Sequence, residues 1–98
     1  MTIHKTLEAD KLTIALEGRL DTSSSPELED ALNASLDGVK ELVFDMSKLD
    51  YLSSAGLRVI LSAHKRMLAQ GTFKLRNVGE TVRDVLDMTG FSDFLTIE

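Results

Sequence analysis

The stretch LDYLSSAGLRVIL, Leu49 to Leu61, joins an apolar run with the character of a strand to one with the character of a helix. Two adjacent serines, Ser53 and Ser54, and the small pair Ala55-Gly56 mark the junction. Three uses of such serines are open. One can accept hydrogen bonds from the unpaired N–H groups that begin any helix. One could act as a nucleophile. One could carry a covalently attached phosphate, which the same N–H groups and the positive end of the helix dipole would stabilise. The serine is doubled where a single cap suffices, and Ala55-Gly56 leaves room for something large to approach the backbone.

Downstream of the serines, the spacing predicts a helix from about Gly56 to Gln70, closed by Gly71. At 100° per residue, Leu57, Ile60, Leu61, Ala63, Met67 and Leu68 fill one arc, and Arg58, Ser62, Lys65, Arg66 and Ala69 the other. Upstream, Val39 to Met46 contains Leu42-Val43-Phe44, which reads as the most buried strand. Before it, RLDTSSSPELEDALNASLDG (Arg19 to Gly38) predicts a helix with Ser25 as N-cap and Pro26 at its first position. Glu27 and Glu29 suit the positive end of its dipole, Leu28, Ala31, Leu32 and Leu36 form its apolar stripe, and Gly38 ends it. Lys11 to Glu17 alternates as a strand, with a weaker one over Ile3 to Leu7 and a hairpin turn at Glu8-Ala9-Asp10.

Phe73 and Leu75 alternate with Lys74 and Arg76 in a further strand. Glu80 to Thr89 reads as a third helix with Val82, Val85 and Leu86 inward and Gly90 at its end, and Phe94 to Ile97 as a last short strand or helix start. The order ββαβαβα plus a short final element predicts an α/β fold with right-handed crossovers. The flanking strands alternate polar and apolar residues, so we expect a mixed, mostly parallel sheet of four to five strands with helices mainly on one face.

The length, 98 residues, suits one small domain over residues 1–98, without repeats, low-complexity segments or linkers. With no cysteine, disulfides and thiolate metal sites are excluded. No apolar run approaches the ~18 residues of a membrane span and the N-terminus has no signal-peptide character, so a cytoplasmic location without membrane insertion is expected. The net charge of −5 speaks against direct nucleic-acid binding, which calls for a basic stripe.

Catalytic signatures are few. No Gly-rich phosphate loop of either common type occurs. The GxSxG elbow of serine hydrolases is absent as well, since Ser54 is flanked by Ser53 and Ala55. The only histidines are His4, in the first strand, and His64, more than two helical turns beyond Ser54 and out of hydrogen-bond reach of it. His64 falls on the apolar arc and reads as a hydrogen-bonded, partly buried residue. Asp45 and Asp50 lie near a strand end without a pocket. No catalytic residue, metal or cofactor is expected.

The chain resembles the STAS-domain family, specifically the bacterial anti-sigma factor antagonists. Three stretches carry the resemblance, in order and at the right separations: GRLDTSSSPELEDAL (Gly18 to Leu32), LVFDMSKLDYLSSAGLRVIL (Leu42 to Leu61) and VRDVLDMTGFSDFLTI (Val82 to Ile97). The resemblance implies a regulatory module rather than an enzyme. Its partner would be an anti-sigma factor that is also a serine kinase of the histidine-kinase-like ATPase fold. Phosphorylation would end that interaction and a PP2C-type phosphatase would restore it. The signature places the phosphoacceptor on Ser54, with Ser53 the alternative because it stands where the family carries aspartate. Asp21, Thr22, Ser53, Ser54, Gly56 and Arg58 would face the partner, Asp21 having the role of a turn or capping residue as its alternative. A second function implied by the family is that of an accessory subunit or scaffold in a transport or stress-signalling complex.

Overall fold

A computed structural model describes all residues from Met1 to Glu98. The first two strands, β1 (Thr2–Glu8) and β2 (Lys11–Leu20), form an antiparallel hairpin paired from Thr2↔Glu17 to Glu8↔Lys11. Its two-residue turn places Ala9 at φ 55. Then follow α1 (Ser25–Ser35), β3 (Glu41–Leu52), α2 (Ser54–Gln70), β4 (Thr72–Arg76), α3 (Glu80–Met88), a 3₁₀ turn (Phe91–Asp93) and β5 (Thr96–Ile97). The sheet has the order β1-β2-β3-β4-β5, and every pair after the hairpin is parallel. Five strands form, the last from the segment whose type the sequence left open.

Period-two alternation decides what β2 buries. Leu12, Ile14 and Leu16 are buried, while Thr13 and Ala15 between them are only partly covered. Across the sheet, Leu42, Phe44 and Met46 continue that face, and Phe44 meets Phe73 edge-on with ring centroids 4.9 Å apart. The buried residues of all three helices, among them Leu28, Leu32, Ile60, Met67, Val82 and Leu86, join these strand residues in one cluster. The helices therefore cover one face. Fully burying one such Leu or Phe is worth about 1.5–3 kcal/mol, so this layer dominates the stability. On the other face Val43 is buried apart from the cluster, between its register neighbours Thr13 and Lys74. Ion pairs Lys11–Glu41 at 3.4 Å, Lys74–Glu98 at 2.8 Å and Arg76–Asp45 at 3.8 Å flank it.

Both central strands run further than local pattern predicts. β2 passes through Gly18, which takes φ +105, and β3 continues from Met46 to Leu52. Each extension pairs with the other, from Glu17↔Lys48 to Leu20↔Leu52, with register shifts after Ala15 and after Gly18. Such bulges re-aim side chains. Leu20, Leu49 and Leu52 accordingly join the core. Asp45 thus sits within β3 rather than near its end, and Asp50 is exposed.

Other expectations change in detail. Ser24, not Ser25, is the N-cap residue of α1, and its side chain makes no capping hydrogen bond to the helix. Leu68 is 71% exposed, because it lies beyond the edge of the arc that the sheet covers. His64 is half-buried, but its ring packs on Phe94 with centroids 5.0 Å apart, and no side-chain hydrogen bond forms. Gly71 does close α2, though in an extended conformation. It is required by a close approach, since a Cβ there would lie 1.9 Å from the Lys40 carbonyl oxygen.

Candidate functional site

Parallel neighbours β2 and β3 end side by side, and their carboxyl ends deliver the Asp21 turn and the serine pair to one edge of the molecule. Ligands and partners of open α/β sheets commonly meet the domain at strand carboxyl ends. The Ser53 N–H donates to the Leu20 carbonyl at 2.9 Å, which fastens the start of α2 to the residue preceding Asp21.

The two serines have different surroundings. Ser53 is the N-cap residue, extended at φ −97 and ψ 175, and its Oγ accepts from the Gly56 N–H at 3.3 Å. Its carbonyl accepts from the Leu57 N–H at 2.9 Å. Ser53 is half-buried. Ser54, the first residue of the helix, is exposed, and its hydroxyl has no partner within the chain. Capping therefore belongs to Ser53, and Ser54 presents a free hydroxyl at the surface.

Gly56 is small for an internal reason. A Cβ there would lie 2.8 Å from both Leu20 Cγ and Leu52 Cδ1, and 3.0 Å from the Leu20 carbonyl oxygen. What approaches this backbone from within is the chain's own core, and Gly56 is buried. Its small size lets α2 sit close to β2, beneath Ser54.

Asp21 organises the turn before α1. Its Oδ1 accepts from the backbone N–H groups of Ser23 at 3.0 Å and Ser24 at 3.1 Å. The buried Ser24 hydroxyl accepts from the Asp21 N–H at 2.9 Å and donates to the Arg19 carbonyl at 2.6 Å. The Ser24 backbone hydrogen bond, and after it the other hydrogen bonds of the turn and the Arg19 guanidinium, hold the Asp21 carboxyl below its ordinary value against the opposing effect of desolvation. Asp21 Oδ2 stands 3.7 Å from Arg19 Nε, and the Arg19 guanidinium lies 4.1 Å from the centroid of the Tyr51 ring. The role of Ser24 escaped the sequence reading, although DTSSS, an aspartate followed three residues later by serine, carries the signal.

Thr22 is exposed at the tip of this turn. On one side of it, a groove of about 370 Å³ runs between the first turns of α1 and α2, lined by Thr22, Ser25, Pro26, Glu29, Ala55, Arg58 and Val59. On the other, a shallow depression of about 400 Å³ is lined by Arg19, Asp21, Ser23, Ser24 and Glu27, with Met1 and Gly18. The fold thus brings Asp21, Thr22, Ser53, Ser54 and Arg58 to one edge, with Gly56 beneath them. Elsewhere, no group of three or more His, Asp or Glu side chains is placed to hold a metal ion. No helix is long and apolar enough to cross a membrane.

Comparison with known proteins agrees with this architecture. The STAS domain family model matches residues 2–98. The BtrV protein of Bordetella bronchiseptica, whose name assigns it provisionally to the anti-sigma factor antagonists, is 38% identical over 82 residues. That similarity spans 82% of this chain and 71% of the relative. The solved structure of the anti-sigma factor antagonist SpoIIAA in its unphosphorylated form superposes with a TM-score of 0.86 at 19% identity, covering 99% of this chain and 88% of that one. The structure of Bacillus SpoIIAA in the phosphorylated form gives 0.77 at 18% identity, covering 99% and 91%. With its family model matched from end to end and a five-stranded sheet in this order, the chain belongs to the STAS domain family, among its anti-sigma factor antagonists.

Proposed function

We propose that this protein is the reversible partner of an anti-sigma factor that doubles as a serine kinase, and that Ser54 is the residue whose phosphorylation ends the partnership. The observation that carries this reading is the division of labour between the serines: Ser53 spends its hydroxyl on the helix, while Ser54 offers an exposed, unengaged one. A kinase of the histidine-kinase-like ATPase fold would transfer the γ-phosphoryl group of ATP to Ser54 Oγ, releasing ADP and the hydroxyl proton. A PP2C-type phosphatase would hydrolyse the ester and restore the unmodified form. The setting is cytoplasmic. Solved structures of the relative SpoIIAA in unphosphorylated and phosphorylated forms support the chemistry.

The physical basis of the switch is local. A phosphate brings about −1.5 to −2 charges at neutral pH. At an exposed helix start those charges are well solvated, so the fold need not change. Pressed against a partner they must be desolvated or meet like charge, and binding fails. Asp21 and Thr22, beside Ser54, and Arg58, one helical turn on, complete the contact surface.

The test is incubation with the cognate kinase and ATP, followed by mass-spectrometric mapping of wild type, Ser54→Ala and Ser53→Ala. Phosphate is expected on Ser54 in wild type and Ser53→Ala, and none in Ser54→Ala. Labelling that persists in Ser54→Ala would sink the assignment.

A further inference from the structure

Arg58 stands out among the charged residues. The chain has five arginines. Arg19 pairs with Asp21 and Tyr51, Arg66 donates to Asn33 at 2.8 Å, Arg76 pairs with Asp45, and Arg83 with Asp87. Arg58 alone has neither an ion pair nor a side-chain hydrogen bond, and it is exposed. It lies four residues after Ser54 in α2, so the two side chains occupy one stripe of the helix, with Cβ atoms about 5–6 Å apart. Helical Cα–Cβ bonds tilt toward the N-terminus, and a long side chain covers the turn before its own. The Arg58 guanidinium therefore has Ser54 within its natural sweep.

We propose that Arg58 is the intramolecular partner of phosphorylated Ser54: the free guanidinium of the unmodified protein folds back onto the phosphate once it is attached. This inference rests on Ser54 as the modified residue and specifies how that modification is read. Two changes then happen together at the contact surface. Negative charge appears, and the one unpaired arginine of the chain is withdrawn from the groove beside it. A planar guanidinium suits this task because it can meet two phosphate oxygens at once. Neither change requires the backbone to move.

The test installs phosphoserine at position 54 by genetic encoding, so that no kinase is involved, and follows the phosphorus NMR signal as a function of pH. The second ionisation of phosphoserine lies near pH 6. Pairing with Arg58 favours the dianion, so Arg58→Gln should raise that midpoint by about 0.2–0.4 unit or more. Lys65→Gln, which removes an exposed charge elsewhere on the same helix, should leave it unchanged, and added salt should shrink the difference between wild type and Arg58→Gln. Equal midpoints in wild type and Arg58→Gln would overturn the inference, as would equal shifts in Arg58→Gln and Lys65→Gln. Either result leaves the mapping of the acceptor untouched. Conversely, a kinase that fails to label Ser54 would overturn the function proposed above without altering the titration.

Discussion

At the scale of residues, the two serines differ in what they do for the fold. Ser53→Ala removes the cap on Gly56 N–H and should cost about 0.5–2 kcal/mol, read as a lower midpoint in urea unfolding. Ser54→Ala removes a hydroxyl with no partner in the chain and should unfold within about 0.5 kcal/mol of wild type. If Ser54→Ala were the more damaging of the two, the capping assignment would be wrong. A second pair of variants tests the proposed binding: Ser54→Ala should stay competent to bind the anti-sigma factor in the presence of ATP, whereas Ser54→Asp should bind poorly. Tight binding by Ser54→Asp would refute the electrostatic account. Gly56→Ala presses a methyl group against Leu20 and Leu52 and should cost about 1–3 kcal/mol, visible as a lowered Tm.

Among the elements, the turn into α1 is sensitive to acid. The hydrogen bonds of the turn, led by the Ser24 backbone N–H, depress the folded-state value of Asp21 below the ordinary 3.8. A carboxyl with a depressed folded value stabilises the protein fully above its unfolded value, and that contribution fades as pH falls through the folded one. Below pH 4 the turn should therefore loosen, and Asp21→Asn should flatten that part of the stability profile, measured by denaturant unfolding from pH 5 to 2. An unchanged profile in Asp21→Asn would remove Asp21 as the responsible group. Asp45 acts in the same direction: burial pushes its carboxyl up, but the Ser47 N–H, Asn77 and Arg76 outweigh it and the net shift is downward. Elements also record what local pattern misses. Leu12, Ile14 and Leu16 announce β2, and the stripe of Leu28, Leu32 and Leu36 announces α1, because each signal lies within a few residues. The outer halves of β2 and β3 carry no such alternation, since their register shifts twice, and each exists as a strand only because the other pairs with it.

For the whole molecule, one helical layer on one face of one sheet leaves a single core with no reserve. Phe44, fully buried in β3, the middle strand of the sheet, is the test of that dependence. Phe44→Ala should cost about 3–5 kcal/mol, a large part of the roughly 5–15 kcal/mol that holds a domain of this kind folded. Circular dichroism should find its Tm lowered by about 12–40 °C, and a Tm within a few degrees of wild type would contradict the packing described. The amino-acid sequence by itself determined the order of the elements and the kind of all but the last, the mixed, mostly parallel sheet covered on one face, and the placing of Ser53 and Ser54 at a strand's carboxyl end. These follow from hydrophobic period and from glycine and proline positions, which act over a turn or two. Only the tertiary structure decided which serine is tied down and which is free, why Gly56 must be glycine, and that Arg58 is left without a partner. Those facts depend on Leu20 and Leu52 arriving beneath α2, and on which neighbours the other arginines find, and such meetings between distant segments leave no local trace in the chain.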